Sequence, residues 1–351
     1  MREHIIEKSL YIILFDNYSF LVSVIIPNYN HSPFLKQRIE SVLSQTCQDF
    51  ELIILDDCST DNSKEIIEQY RENKKVSHIR YNEKNSGSTF KQWQKGLKYA
   101  KGEFVWIAES DDFADKEFLS TMTSLLINHR QCIFATSRTA HVDGTGEVVG
   151  INLWPDQLDH TRWCNDFIGD GTNEIINYLR FRDTIPNASA VVFSNDVKAE
   201  LETVVKNDWR YNGDWFFWAA LLKKGSIGYS SKILNFQRFH SQTTRSVKPF
   251  IDEEKRFKET VAVITYLNNY SKKKINWFDL NYNWIFEQLV TRIKIEDKIN
   301  VKYYGIGNSA SFGARLLLEN FRFYYKDFYN LARFKGGAVK QKVFIFFKKF
   351  K

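Results

Sequence analysis

The amino-acid sequence predicts an α/β protein, a doubly wound and mostly parallel sheet followed by a mainly helical C-terminal segment. Over the first 130 or so residues, continuous apolar runs alternate with amphipathic stretches, as in a sheet covered by helices on both faces. Polar clusters directly follow several of the apolar runs, which is where ligands bind in open sheets of this kind. From about residue 248 the chain has a helical pattern with many aromatic and basic residues.

The first predicted strand is Leu21–Pro27, a β-branched apolar run. A helix follows, with Ser32 expected as its N-cap and Pro33 in its first turn. Four apolar side chains between positions 35 and 43 have the i, i+4, i+7, i+8 spacing of one helix face. The second buried strand is Phe50–Leu55, and a helix is expected over residues 63–70.

The same alternation continues through residue 128. Val76–Tyr81 is predicted as a shorter strand, and a helix is expected over residues 89–100, closed by Gly102. Phe104–Ala108 is the next buried strand, and residues 117–128 form another helix. This strand–helix order is typical of a doubly wound sheet.

The sequence divides into three parts. Residues 1–20 are an N-terminal extension, and residues 21–247 form the sheet domain. That domain has a regular half, 21–131, and a less regular half, 132–247, with short strands and loops rich in Asn, Asp, Gly and Trp. The helical, aromatic and basic segment covers residues 248–351.

Charge and cysteine usage exclude some classes of protein. The net charge is +7, from 49 basic and 42 acidic residues, and seven of the basic residues lie between 333 and 351, where there is no acid. The remainder is close to neutral, which excludes a basic nucleic-acid-binding domain. The four cysteines form neither a CxxC pair nor a Cys/His zinc spacing, which indicates free thiols in a reducing compartment.

The chain is expected to be cytoplasmic. Its N-terminal apolar run is short and lacks the small-residue cleavage site of a secretory signal. No stretch approaches the ~18 apolar residues that a membrane-spanning helix needs.

Acidic residues follow two of the predicted buried strands. Asp57 ends the second strand and Asp112 follows the fourth. Carboxylates at buried strand ends lose solvation and repel each other, which a cation bound between them and a ligand offsets. Mg²⁺ and Mn²⁺ prefer few carboxylates together with phosphate oxygens, so a metal-bound diphosphate fits. The alternative is helix capping, because both residues precede a helix.

Two stretches resemble family 2 glycosyltransferases of the GT-A fold. They are VSVIIPNYNHSPFLKQRIESVLSQTCQDFELIILDDCSTDNS and the later AKGEFVWIAESDDF, which together cover most of the first 130 residues, with motifs in family order and spacing. The acidic metal motif of the family reads Glu109-Ser110-Asp111-Asp112 here, a variant of the usual DxD. The resemblance implies a nucleotide-sugar half over 21–131 and an acceptor half over 132–247.

The resemblance also implies roles for individual residues in the first half. Pro27 and Tyr29 would line the base pocket, with Tyr29 stacked on a pyrimidine. Asp57 would accept a hydrogen bond from the imide N–H of uracil or thymine, as an ionised carboxylate can. Asp111 would lie near the donor ribose or sugar, and Asp112 would bind Mn²⁺ or Mg²⁺. For Tyr29 a place in the core remains an equal alternative.

In the second half the resemblance implies a catalytic base and a further metal contact. Asp214, which precedes an apolar helical run, would remove the proton of the acceptor hydroxyl. His240, in the sequence Arg238-Phe239-His240, would contact the metal or the diphosphate. The alternatives are an N-cap for Asp214 and a structural role for His240.

One part of the sequence departs from the family pattern. Many members have an Arg-Asn pair shortly after an N-x-G element, and this chain lacks that arginine after Asn85-Ser86-Gly87. Either Lys91 or Lys95 could take over its phosphate contact, and either could equally be a solvent-facing lysine on a helix.

The sequence KQKVFIFFKKFK at the C-terminus leaves two interpretations open. It could contact an anionic membrane peripherally, at about 1 kcal/mol per basic residue near the surface. It could equally be a solvated tail.

These features together favour an inverting, metal-dependent glycosyltransferase. It would move a sugar from a UDP- or dTDP-linked donor to a glycan or lipid-linked glycan in bacterial surface polysaccharide synthesis, such as O-antigen or capsule. A dinucleotide-dependent oxidoreductase would need G-x-G-x-x-G after the first strand, where the chain has Pro27-Asn28-Tyr29-Asn30. A non-catalytic nucleotide-sugar or partner-binding protein on the same fold is the remaining alternative.

Overall fold

A computed structural model of the chain describes residues 20–185 and 187–240, and in addition residues 255, 256, 259, 260, 262–264, 266 and 267. The predictions for the N-terminal extension, for most of the segment after 247 and for the basic tail lie outside the described residues. The described part confirms the predicted α/β class with a central, mostly parallel sheet.

The first half of the sheet holds four parallel strands in the order β3-β2-β1-β4. They are β1 (Phe20–Asn28), β2 (Phe50–Asp56), β3 (Val76–Tyr81) and β4 (Gly102–Ile107). The apolar side chains of β1 from Val22 to Ile26 and those of β2 are buried, as expected for strands covered on both faces. The strand order reverses direction beside β1, and in such sheets this point opens a crevice for a ligand.

The second half of the sheet continues from β4 through an antiparallel strand. β9 (Val191–Ser194) pairs antiparallel with β4 and with β6 (Cys132–Val142), and β10 (Ser226–Arg238) runs parallel to β6. β6 and β10 are longer than the short strands expected here. Three short antiparallel strands complete the sheet, namely β5 (Phe113–Ala114), β7 (Val148–Ile151) and β8 (Phe167–Gly169).

Seven α-helices lie within residues 20–240, and the described residues between 255 and 267 are helical as well. α1 buries three of the four predicted apolar side chains, and α7 is buried almost all round because its sequence is apolar on every face. The helices are α1 (Ser32–Leu43), α2 (Ser63–Glu68), α3 (Thr89–Leu97), α4 (Phe118–Asn128), α5 (Gly171–Glu174), α6 (Lys198–Lys206) and α7 (Gly213–Leu222). None of them is long and apolar enough to cross a membrane.

Two predicted helix boundaries are wrong. Ser32 is the first residue of α1 rather than its N-cap, and its amide donates to the Asp61 carboxylate at 2.8 Å. Gly102 does not close a helix, because α3 ends at Leu97 and Gly102 begins β4. A Cβ on Gly102 would lie 2.5 Å from the Ser23 nitrogen, so the close approach of β1 requires glycine there.

All four cysteines are free, as the sequence indicated. Cys132 is buried at the start of β6, and its burial raises the pKa of the thiol to about 11. This thiol is therefore protonated at neutral pH.

Candidate active site

The carboxyl ends of β1 and β2 meet at one edge of the sheet. Asn28 lies opposite Asp56 in the parallel register, and its side-chain amide donates to the Asp56 carboxylate at 2.8 Å. The loops beyond the two strands are also joined, because the Asn30 amide donates to the Ser59 hydroxyl at 2.9 Å. Asn30 adopts a left-handed backbone (φ 55°), which asparagine tolerates better than most residues. The polar clusters predicted after these strands therefore lie side by side.

Asp57 is buried beneath the loop that precedes α3. Its Oδ1 accepts from the side-chain amides of Asn82 (2.5 Å) and Gln92 (2.9 Å) and from the Ser86 amide (2.9 Å). Its Oδ2 accepts from the Ser86 hydroxyl at 2.7 Å. Asp57 is thus not a helix cap, since these donors come from α3 and from the loop between β3 and α3. The carboxylate is fixed in orientation and most of its acceptor capacity is already used.

Tyr29 and Pro27 lie at the end of β1. Tyr29 is 44% exposed, so the alternative that it is a core aromatic is wrong. Pro27, two positions before it, is buried. The Asp57 backbone N–H donates to the carbonyl of Asn28, the residue before Tyr29, at 2.8 Å. An exposed aromatic ring at such a strand end offers a surface on which a flat base can stack.

Asp112 is buried, and both oxygens of its carboxylate accept hydrogen bonds from other parts of the protein. Its Oδ2 accepts from the Asn187 amide (2.9 Å) and the Ser189 hydroxyl (2.7 Å), and its Oδ1 accepts from the Arg238 backbone N–H (2.9 Å). Burial and the neighbouring charge of Asp111 raise its pKa to about 6. Asp112 therefore joins β4 to β10, and it is not a helix cap.

Asp111 points instead toward two histidines. Its Oδ2 lies 3.2 Å from Nε2 of His240, and one ligand atom each of His31, Asp111 and His240 lies within 4.8 Å of the other two. Burial raises the pKa of Asp111, but the hydrogen bond to His240 and the charge of His31 outweigh it, so the pKa lies below its usual value. Burial lowers the pKa of His31 and favours its neutral imidazole. Two imidazoles and one carboxylate form a donor set that fits a divalent metal ion.

Two arginines hold the backbone of the acidic loop. Nε of Arg38 donates to the Glu109 carbonyl at 2.8 Å, and Nε of Arg238 donates to the Asp111 carbonyl at 2.9 Å. Arg38 is fully buried against Trp106, which lies 5.4 Å from its guanidinium carbon. Burial lowers the pKa of Arg38 to about 10, so it stays charged at neutral pH and offsets the acidic loop.

Glu109, at the first position of the acidic motif, faces α3. Its Oε1 accepts from the Trp93 indole N–H at 2.7 Å and from the Thr89 hydroxyl at 3.2 Å. Burial, and then the charge of Asp111, raise its pKa to about 8. Glu109 is therefore largely protonated at neutral pH when no cation is near.

Asp214 lies on a different element, in the first turn of α7. The helix begins at Gly213, where a Cβ would meet the Phe90 ring of α3 at 2.6 Å. Oδ1 of Asp214 accepts from the amide of the next residue, Trp215, at 2.8 Å, and the N-cap is Asn212. Asp214 is thus not the N-cap, and α3 packs between α7 and the acidic loop, which its Trp93 contacts.

The loop before α7 is held by a carboxylate from beyond residue 247. Glu259 accepts the backbone N–H groups of Arg210 (2.8 Å), Tyr211 (2.7 Å) and Asn212 (2.8 Å). Glu259 is buried, so it supplies charge-assisted partners for three amides that would otherwise lack them.

Sequence reasoning missed His31, Arg38 and Glu259. The signal for His31 was its position directly after the first strand, at the ligand-binding edge. Arg38 occupies a position on the apolar face of α1, where a charged residue is unusual. For Glu259 the sequence gave no signal, because its partners are almost 50 residues away.

Both candidate lysines lie on α3, and each has a partner in the loop before that helix. Lys91 is exposed and its Nζ donates to the Ser86 carbonyl at 3.2 Å. Lys95 is half-buried and donates to the side-chain oxygen of Asn82, which in turn donates to Asp57. Lys91 therefore lies beside the loop that covers Asp57, and Lys95 lies behind it.

The sequence matches known glycosyltransferases. Residues 23–182 match the family model "Glycosyl transferase family 2", so Asp214 and His240 lie beyond the matched range. The chain is 37% identical over 119 residues to glycosyltransferase TuaG of Bacillus subtilis (strain 168), which is 34% of this chain and 46% of TuaG. It is 39% identical over 111 residues to the poly(ribitol-phosphate) beta-N-acetylglucosaminyltransferase TarS of Staphylococcus aureus (strain MW2), which is 30% of this chain and 19% of TarS. The matched segments thus span less than half of either relative.

Solved structures of S. aureus TarS 1-349 share the fold. The structure without a named ligand has a TM-score of 0.56 and 20% identity, and covers 81% of this chain and 78% of that chain. The complex with UDP-GlcNAc has a TM-score of 0.55 and 21% identity, with 79% and 77% covered. The likeness shows a common GT-A fold, and the family 2 model matches residues 23–182, a little under half of this chain.

Proposed function

We propose that the protein is an inverting, metal-dependent glycosyltransferase of bacterial surface polysaccharide synthesis, such as O-antigen or capsule. It transfers a sugar from a UDP- or dTDP-linked donor to a glycan or lipid-linked glycan. The observation that carries the proposal is the group of Asp57, Tyr29, Asp111 and His240 at the ligand-binding edge of the sheet. The complexes of the structurally similar TarS with UDP-GlcNAc and UDP support the donor class.

The nucleotide base lies between Pro27, Tyr29 and Asp57 in this proposal. Tyr29 is exposed enough to stack on a pyrimidine, an interaction worth about 1–3 kcal/mol. Oδ2 of Asp57 accepts one hydrogen bond within the protein and has room for the imide N–H of uracil or thymine.

Asp111 and His240 hold the divalent metal, Mn²⁺ or Mg²⁺, in place of the Asp112 expected from the sequence. The carboxylate of Asp112 is engaged by Asn187, Ser189 and the Arg238 amide, whereas Asp111 faces His240. When bound, the metal supplies positive charge for the departing diphosphate. Asp112 instead keeps the loop in place.

Asp214 is the proposed catalytic base. In a single displacement it takes the proton of the acceptor hydroxyl, whose oxygen forms the new bond to the anomeric carbon as the bond to the diphosphate breaks. Attack from the opposite face inverts the configuration at this carbon. Its place at the start of α7 supports this role, because the packing of α7 on α3 joins it to the donor side.

The cytoplasmic location and the peripheral contact of residues 340–351 with an anionic membrane belong to the same proposal. They rest on the basic and aromatic sequence of that segment. Such a location suits an enzyme whose acceptor is linked to a lipid.

Calorimetry with UDP in the presence and absence of Mn²⁺ tests the donor site, and a panel of sugar nucleotides tests turnover. We expect metal-dependent UDP binding together with transfer or slow hydrolysis of at least one donor. Asp214→Asn is expected to bind UDP with wild-type affinity and to lose transfer. Absence of metal-dependent nucleotide binding would exclude the proposal, and full activity of Asp214→Asn would exclude Asp214 as the base.

A further inference from the structure

The candidate metal-binding side chains are His31, Asp111 and His240, called the metal group below. His31 is the one that no sequence pattern predicted. His31 ends the loop after β1, as the N-cap of α1, and its ring is perpendicular to that of His240 at 5.5 Å between centroids. Asp111 completes the group. The three side chains come from three separate parts of the chain, so the fold assembles them rather than local sequence.

The spacing suits shared ligation of a single ion. With metal–ligand bonds of about 2.1 Å, two ligands of one ion lie about 3 Å apart when adjacent and about 4.2 Å apart when opposite. Nε2 of His240 is 3.2 Å from Oδ2 of Asp111, and all three ligand atoms lie within 4.8 Å of one another. Shifts of less than about 1 Å therefore suffice to close the group on a metal.

His31 is also oriented in the manner of a metal ligand. Its Nδ1 lies 2.8 Å from the hydroxyl of Ser110, the residue directly before Asp111. A metal-binding histidine almost always has its second ring nitrogen hydrogen-bonded in this way, which fixes the ring and its tautomer. Because Ser110 occupies Nδ1, the nitrogen left for a metal is Nε2.

We propose that His31 is a third protein ligand, so that two imidazoles and one carboxylate bind a first-row transition ion in preference to Mg²⁺ and without any nucleotide. This deepens the proposed function, on whose metal site it rests. Mg²⁺ selects oxygen ligands and keeps its waters, whereas imidazole favours ions such as Co²⁺ and Zn²⁺. A site that depended on nucleotide phosphates for most of its ligands would bind little metal alone.

Titration of the full-length protein with Co²⁺ tests the inference without any turnover. The visible absorption of Co²⁺ reports nitrogen ligation, and the titration gives a Kd in the absence of nucleotide. We expect saturable binding at one site, unaffected by millimolar Mg²⁺. His31→Ala is expected to raise the Kd at least 10-fold and to change the spectrum, and Ser110→Ala to raise the Kd by up to about 10-fold.

His160→Ala is the matched control, because His160 is exposed and lies outside the metal group. It is expected to keep the wild-type Kd and spectrum. His31→Gln, which preserves size, and thermal melting of each variant separate a loss of ligation from a loss of folding. A folded His31→Ala protein with the wild-type Kd and spectrum would overturn the inference, as would displacement of Co²⁺ by equimolar Mg²⁺.

Failure of the proposed function gives a different pattern. In that case Co²⁺ binds through His31 as expected, but UDP does not bind and no donor is turned over. If instead UDP binds and a donor is turned over while His31→Ala leaves Co²⁺ binding unchanged, the function stands and His31 is excluded as a ligand.

Discussion

Asp111 and Asp112 are adjacent in sequence, yet their carboxylates have different hydrogen-bond partners. Asp111 faces His240, while Asp112 binds Asn187, Ser189 and the Arg238 amide inside the protein. The sequence predicts an acidic pair at this position but does not distinguish the two members. Which one is held inside the protein, leaving the other to face His240, depends on donors 75 to 126 positions further along the chain.

Exchange of each aspartate for asparagine is expected to separate these roles. Asp111→Asn removes the carboxylate of the metal group, so metal affinity falls while the fold is kept. Asp112→Asn places an amide N–H₂ against protein donors in a buried site, which costs about 1–3 kcal/mol of unfolding free energy. Metal titration and thermal melting of both variants check this. The opposite pattern, with metal binding lost only in Asp112→Asn, would identify Asp112 as the metal ligand.

At the scale of elements, the sequence predicted the strands of the first half well. β1, β2 and β3 differ from the predicted bounds by no more than one residue at either end, because buried parallel strands are continuous apolar runs. Helix ends were harder to predict. A glycine shortly after a helical pattern is typical of a helix end. At Gly102, however, glycine is required by the close approach of β1, which no local sequence pattern indicates.

The loop before α7 depends on an element that the sequence placed in another segment. Glu259 accepts three consecutive backbone N–H groups, from residues 210 to 212, just before Asp214. Val263 and Leu267 from the same stretch are buried, so this part of the chain packs as core. Only contact between distant segments reveals such support, since a glutamate in an amphipathic helix is ordinary in sequence.

Glu259→Gln is expected to lower kcat by about 10- to 100-fold, with little change in UDP affinity. The glutamine has one carbonyl oxygen for three amides, and its N–H₂ faces donors, so the loop shifts and with it the start of α7, where Asp214 lies. Steady-state kinetics together with UDP calorimetry measure the two effects. Glu202→Gln, on an exposed face of α6, is the matched control. A variant with weaker UDP binding and unchanged kcat would contradict the role assigned to this loop.

At the scale of the whole molecule, the proposed catalytic base and the proposed donor-binding residues are joined by packing rather than by one motif. α7 packs on α3 through Trp93 and Trp218, and Trp93 bonds Glu109 of the acidic loop. The two sequence segments that resemble the family contain most of the proposed donor-binding residues, which are local in sequence. The contacts that join the two sides span the whole domain, so they could not be predicted.

One buried carboxyl outside the active site links the stability of the whole molecule to pH. Glu174 is 3% exposed, and burial raises its pKa to about 7, although the charge and hydrogen bond of Arg162 act in the opposite direction. Below pH ~4.5 the group is protonated in the folded and the unfolded chain. Between pH ~4.5 and ~7 the folded protein holds a proton that the unfolded chain has lost.

The free energy of unfolding is therefore expected to fall as the pH rises through this window, by at most about 1.4 kcal/mol per pH unit from this group. The stabilisation of the folded protein by protonated Glu174 is fully present below pH ~4.5 and is lost above pH ~7. Thermal melting of the wild type and of Glu174→Gln between pH 5 and 8 isolates it, because all other groups titrate in both proteins. The melting temperature of the wild type should fall relative to that of the variant as the pH rises.

The exposed Glu117→Gln serves as the control and should follow the wild type. Parallel curves for the wild type and Glu174→Gln would mean that the ion pair with Arg162 keeps Glu174 ionised in the folded protein throughout the window.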